Sequence, residues 1–180
     1  MKPNSDQGQM FSGEFILGFI LFAVAFAMMI SLWDTTTRDV LRAESIREMN
    51  DAAVNAAETL VRTPGVPSDW NRSNVASLGL ANQSRILHPL KVKEFVHYMS
   101  TNETGLCGSE KNYQCNLHML GLGGYDFMMN ISYVNGTTVN VNGTPAYVGR
   151  PPVNETERIT VLRTTILNDE ITRLYLTVWK

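Results

Sequence analysis

FILGFILFAVAFAMMISLW, residues 15–33, decides the architecture, because it carries no charge over its whole length. As a helix rising about 1.5 Å per residue it spans roughly 28 Å, close to the hydrocarbon thickness of a bilayer. Asp34 ends the run, and Trp33 beside it suits a membrane–water interface. The run is longer than the apolar core of an ordinary secretory signal, and no small-residue cleavage motif follows it. A retained membrane helix is therefore expected in preference to a buried helix or a cleaved signal.

Working outward, residues 1–9 (MKPNSDQGQ) are polar and rich in turn formers, and read as a short cytoplasmic leader. The helix is expected to begin near Met10 or Phe11. Beyond Asp34, TTTRDVLRAESIREMNDAAVNAAETLVRT keeps a helical period. Val40, Leu41, Ile46, Met49, Ala53, Ala56, Ala57, Leu60 and Val61 mark one apolar face. Thr35–Thr37 is its weak point, since β-branched residues lower helix propensity. Pro64 and Gly65 end it. If continuous, such a helix runs about 50 residues, or roughly 75–80 Å.

The remainder reads differently. TPGVPSDWN is a loop, and PLKVKEFVHYM (89–99) a short amphipathic helix with Pro in its first turn. DFMMNISY and TTVNVN flank Asn135–Gly136, a hairpin signal, and AYVGR is a further short strand. ERITVLRTTIL and ITRLYLTVWK are the longest strand candidates, with Leu174, Leu176 and Val178 alternating as one buried face. The expected fold is α+β. Residues 1–9 form a leader, 10–63 a long helical stalk, hydrophobic then amphipathic, and 64–180 an extracytoplasmic β-rich head.

Net charge is −2 and the basic residues are scattered, so no field exists to hold nucleic acid. The positive-inside rule barely discriminates: Lys2 precedes the helix, and Arg38 and Arg42 follow it. Sequons decide the side instead. N-x-[ST] acceptors occur at Asn71, Asn82, Asn102, Asn130, Asn135, Asn142 and Asn154, all after the helix, and Pro145 weakens the Asn142 site. Fifteen asparagines in this composition give about two sequons by chance, so the excess points to a translocated, glycan-bearing surface. Cys107 and Cys115 flank the loop GSEKNYQ, which a disulfide closes readily in an oxidising compartment. A metal reading that adds His118 lacks a recognisable fourth ligand.

Phe11, Phe15, Phe19, Phe22 and Phe26 make one aromatic stripe along the helix, and Ala23 with Ala27 forms a small-xxx-small pair that lets another helix approach. The stripe suits lipid or a neighbouring helix equally. Glu14 stands directly before the apolar run, where a carboxylate drawn into lipid costs several kcal/mol unless it is paired or protonated. It either points to water at the membrane surface or pairs with a positive group, such as a neighbouring subunit's N-terminal amine.

The opening DQGQMFSGEFILGFILF resembles the class III signal sequence of archaeal type IV pilin-like proteins over about the first 35 residues. TPGVPSDWNRSNVASLGLA is similar, less specifically, to extracellular domains of that family. The resemblance implies that a prepilin peptidase makes one cut among Gly8, Gln9 and Met10 on the cytoplasmic side. It also implies that the helices of identical or related subunits bundle into a filament core, and it fits the sequons, since archaeal surface filaments are commonly N-glycosylated. The family places Glu fifth in the mature chain. Glu14 is sixth from Gln9 and fifth from Met10, so the cut falls after Gly8 or after Gln9. Removing residues 1–8 takes Lys2 and Asp6 together and leaves the net charge at −2.

No nucleophile elbow, P-loop, metal-ligand cluster or acid pair is present, and Gly121, Gly123 and Gly124 lack a phosphate-binding context. His88, His97 and His118 are scattered. Catalysis and a cofactor are not expected. Two readings remain: a pilin-like subunit, major or minor, which moves from the cell membrane into a surface filament through the assembly machinery, or a non-polymerising single-pass glycoprotein that binds a surface ligand or partner. The second calls for an exposed apolar or aromatic patch on the head, for which Trp70 and Trp179 are candidates, although a core or interface position suits both.

Overall fold

A computed structural model of the chain describes residues 13–100, 112–153 and 157–180. The fold is α+β: a long, N-terminally apolar helix and a C-terminal β-sheet domain. The chain divides into two compact units, residues 1–45 and 46–180. Helix α1 (Gly13–Arg62) contributes to both. It runs unbroken through Thr35–Thr37, the expected weak point. There the Thr35 hydroxyl donates to the Ser31 carbonyl at 2.6 Å, so the β-branched residue satisfies its polar group on its own helix.

In the second unit, Met49, Ala53, Ala56, Ala57, Leu60 and Val61 of α1 are buried. Val40, Leu41 and Ile46, expected on the same face, are exposed. Three alanines in the buried seam let neighbouring backbone come close. The helix ends at Arg62, where Thr63 donates its N–H and its hydroxyl to the Thr59 carbonyl at 3.1 and 2.8 Å.

The last carbonyls of α1 find partners in the segment that follows. Leu80 N–H donates to Leu60 O at 2.9 Å and Arg85 N–H to Val61 O at 2.7 Å, while Ala81 N–H reaches Thr63 O at 3.1 Å. Strands β1 (Ala81–Gln83) and β2 (Ile86–Leu87) arise from this capping segment. The loop between is closed by the Trp70 indole, which donates to Gly79 O at 2.7 Å, and by a Val66–Ser77 bridge. Gly65 has φ of +79°, and a Cβ there would lie 2.5 Å from the Trp70 ring. At Gly79 a Cβ would stand 2.4 Å from Thr63 O and Gly65 N, backbone on both sides.

Helix α2 (Pro89–Ser100) matches the expected short amphipathic helix and buries Val92, Phe95 and Met99. Helix α3 (Asn112–Met119) is a departure. The stretch read as a loop between the cysteines becomes helical from Asn112, because Tyr113, Asn116 and Leu117 have buried partners. Asn116 Nδ2 donates to Tyr98 O at 3.0 Å, and the Tyr113 ring stacks on Phe127 at 5.8 Å.

Strands β3 (Asp126–Tyr133), β6 (Tyr147–Gly149), β7 (Arg158–Leu167) and β8 (Glu170–Trp179) complete a six-stranded sheet in the order β1-β2-β7-β8-β3-β6. Only β2–β7 is parallel; the other neighbours are antiparallel. Asn168 and Asp169, both at positive φ, form the two-residue turn between β7 and β8. Leu174, Leu176 and Val178 are fully buried, as their alternation predicts.

The Asn135–Gly136 turn forms, with Tyr133 N–H donating to Thr137 O at 2.9 Å. The returning strand, however, stops short after Val139. A second turn at Asn142–Gly143, both at positive φ, folds β4 (Asn140–Val141) onto β5 (Thr144–Pro145) as a separate ribbon. The chain then rejoins β3 through β6.

The ladder places Arg163 on the face shared with Val161, Thr165 and Leu167, where its Nε donates to Glu58 Oε1 at 2.7 Å. Arg62 contacts the other Glu58 oxygen. Partial burial pushes the Glu58 carboxyl up. The Arg163 hydrogen bond and the charges of Arg163, Arg62 and Arg85 outweigh it and hold the carboxyl below its ordinary value.

Two outcomes follow for detergent-solubilised protein. Gly79→Ala lowers unfolding stability by about 2–3 kcal/mol in denaturant titrations, because neither backbone neighbour can withdraw. For Glu58 the folded pKa is the lower one, so its stabilisation is present above the unfolded value of 4.5 and is lost as pH falls through the folded pKa. Glu58→Gln therefore unfolds earlier than wild type at neutral pH. The gap in thermal midpoint closes as pH falls through the lowered folded pKa, as a pH series of melts measures.

Candidate functional site

The first unit carries the largest chemical anomaly of the molecule. Gly13–Arg62 contains a window long and apolar enough to cross a membrane, and among the described residues none of that window is buried. Phe15, Phe19, Phe22 and Phe26 are 61, 62, 66 and 49% exposed, and Trp33 is 76% exposed. Soluble monomers rarely leave a contiguous apolar surface of this extent in water. Phe22 and Phe26 stack with centroids 6.0 Å apart, which aligns the stripe expected from the spacing. Ala23 and Ala27 are exposed as well.

Glu14 lies in the first turn of α1, exposed, where the positive end of the helix dipole favours its carboxylate. Past the apolar run, Asp34 and Arg38 pair at 2.9 Å and Arg47 with Asp51 at 3.9 Å. Both are exposed (i, i+4) pairs that contribute little. Among them Val40 and Leu41 continue an apolar strip from Met29, Leu32 and Trp33. Gly8, Gln9, Met10 and Phe11 lie outside the described residues.

The sequons separate into classes. Asn71, Asn82, Asn135 and Asn142 are exposed. Asn71 Oδ1 accepts from Ser73 N at 2.9 Å and from Ser73 Oγ at 2.6 Å, and Asn135 Oδ1 accepts from Thr137 N at 2.9 Å. Asn130 is half-buried inside β3, its Oδ1 accepts from Thr138 Oγ1, and Ser132 of the same sequon is only 2% exposed. Asn102 and Asn154 fall outside the described residues, as does Cys107. Cys115 sits on α3 with its side chain outside the description, so the Cys107–Cys115 pairing is not visible.

Trp70 and Trp179 are both 3% exposed, which places them in the interior and removes them as a recognition patch. Among the described residues, no group of three His, Cys, Asp or Glu is placed to hold a metal ion. Two features carry no sequence signal of their own. The first is Lys91, 7% exposed on α2, whose Nζ donates to Pro64 O at 2.8 Å and Ala81 O at 3.1 Å. Desolvation lowers its pKa, with the charge of Asp69 opposing. The second is Tyr113, whose hydroxyl meets both the carbonyl and the N–H of Phe127, and whose pKa burial raises to about 12. Arg150 lies over its ring at 4.9 Å. Both depend on partners remote in the chain.

No family model matches this chain, and neither a curated protein nor a solved structure matches it.

Proposed function

We propose that this chain is a non-enzymatic structural subunit, a major or minor pilin, of an archaeal type IV pilus-like surface filament. In this reading it resides in the cell membrane before assembly. A prepilin peptidase trims it at Gly8–Met10, and it then joins identical or related subunits through its apolar helix. The observation that carries this is the uncovered helix surface from Phe15 to Trp33, whose sequence allows only lipid or other apolar helices as neighbours.

Three further features support it. Glu14 stands at the start of that surface, where it can pair with a subunit's freed amine. The strip Leu32, Trp33, Val40 and Leu41 extends the apolar face past Asp34, beyond what a single membrane crossing requires. The sequons on the second unit suit a surface that faces the cell exterior.

The test is the mass of the mature N-terminal peptide from a membrane or surface fraction. A chain beginning at Gln9 or Met10 supports the proposal; one beginning at Met1 supports a plain membrane-anchored glycoprotein that binds a surface ligand. In cells that display filaments, Glu14→Gln lowers filament yield by about tenfold, as expected if a buried charge pair loses a partner, while membrane insertion is unchanged. Undiminished filaments would sink the pairing role of Glu14.

A further inference from the structure

The tetrapeptide Val-Asn-Gly-Thr occurs twice in this chain, at residues 134–137 and 141–144. Both copies form turns, and Asn135 and Asn142 are both exposed. An asparagine followed by glycine can close on its own backbone, because no Cβ shields the glycine nitrogen from the asparagine side chain. With identical neighbours on either side, any difference in reactivity between the two copies comes from the fold.

At Asn135–Gly136 both reacting groups are held. Gly136 N–H donates to Tyr133 O at 2.9 Å, and Asn135 Oδ1 accepts from Thr137 N at 2.9 Å. Tyr133 N–H donates to Thr137 O and Val139 N–H to Ile131 O, with a Ser132–Thr138 bridge between them. This turn is therefore stitched directly to β3.

At Asn142–Gly143 the fastening stops below the tip. Ala146 N–H donates to Val139 O at 2.8 Å, and Val139, Val141 and Ala146 are buried, which roots the ribbon in the core. Beyond that root stand only the pairs Asn140–Pro145 and Val141–Thr144, and proline has no N–H to give to the first. Among the described residues nothing bonds to the Gly143 amide or to the Asn142 side chain. Asn142 also sits at φ of +50°, in the left-handed region that disfavours a residue with a Cβ.

We propose that Asn142 is a site of spontaneous, age-dependent conversion to isoaspartate and aspartate, with water as the only co-reactant. The Gly143 nitrogen attacks Asn142 Cγ and forms a five-membered cyclic imide. The proton lost by that nitrogen passes to the side-chain nitrogen, which leaves as ammonia with the electrons of the broken C–N bond. Water then opens the imide. Cleaving the bond to Cγ gives aspartate, and cleaving the bond to the backbone carbonyl carbon leaves the chain running through Cβ and Cγ as isoaspartate. Either product exchanges a neutral amide for a carboxylate at an exposed turn, above a root that stays in the core. Asn135 must first break two hydrogen bonds to react, which slows it on the order of tenfold relative to Asn142.

The experiment incubates full-length protein, made in a host lacking glycosylation machinery and held in detergent, at mildly alkaline pH. Peptide mass spectrometry follows the replacement of NH2 by OH at each asparagine, and methyltransferase labelling detects isoaspartate. The peptide with Asn142 is expected to convert about tenfold faster than the one with Asn135, and in denaturant the two rates become equal. Equal rates in the folded protein, or a faster Asn135, overturn the proposal. So does a difference that persists in denaturant, because the fold is then not its cause. A glycan on Asn142 in protein from native cells overturns it as well, since the amide nitrogen is then no longer free to leave. The mature N-terminus judges the filament proposal separately from all of these.

Discussion

The carbonyls at the C-terminal end of α1 have no partners within the helix, and most of the second unit is arranged by the way they are satisfied. Leu80 and Arg85 supply backbone N–H groups to Leu60 and Val61, and Ala81 supplies one to Thr63. Lys91 adds a buried ammonium on the Pro64 and Ala81 carbonyls, where the negative end of the helix dipole also favours a cation. The same residues lead directly into β1 and β2, and Arg85 O then accepts from Ile166 N at 2.8 Å, which attaches the capping segment to β7. The residues that end the helix are thus the ones that begin the sheet. Gly65 and Gly79 are required because the backbone strands in this knot approach more closely than a Cβ permits.

The sheet then shows an inversion of the usual pattern. On β7 the charged Arg163 points to the helix side while Leu162 and Ile166 face outward. Arg163 is tolerated there because Glu58 neutralises it, and a half-buried charge without that carboxylate would cost several kcal/mol. On the outer face Ile86, Ile166 and Ile171 stand side by side across three strands in register. Asn130 lies within the same sheet, paired with Tyr147 and Tyr175. Its sequon is held in a strand with its serine buried, whereas the Asn71 sequon sits in an open turn.

The first unit obeys a different constraint. A helix can place an uncharged segment in hydrocarbon because every internal backbone group is bonded within the helix, so no sheet partner is needed. None of that segment is buried by the described residues. Lipid and then other subunits are the successive surroundings that the proposed filament role provides.

Local pattern alone determined much of this protein. An uncharged run from Phe15 to Trp33 can only be a helix that avoids water, and Pro64–Gly65 must stop it, because proline lacks a donor and Gly65 takes a left-handed φ. The segments 157–167 and 171–180 read as the longest strands, and the alternation of Leu174, Leu176 and Val178 fixes the buried face of the last one; that the two pair through a turn at Asn168–Asp169 is a tertiary fact. Tertiary structure decided what depends on partners far along the chain. Helix α3 forms where the sequence reads as a loop, since Tyr113 and Asn116 are held by Phe127 and Tyr98. The strand after Asn135–Gly136 is cut short by a second turn. Lys91 and Arg163 look like ordinary surface cations until the fold brings carbonyls to one and Glu58 to the other. Exposure also separates Val40, Leu41 and Ile46 from the buried seam that starts at Met49, although all share one helical period. Periodicity specifies which face is apolar, but only the surrounding chain specifies where along the helix that face is covered.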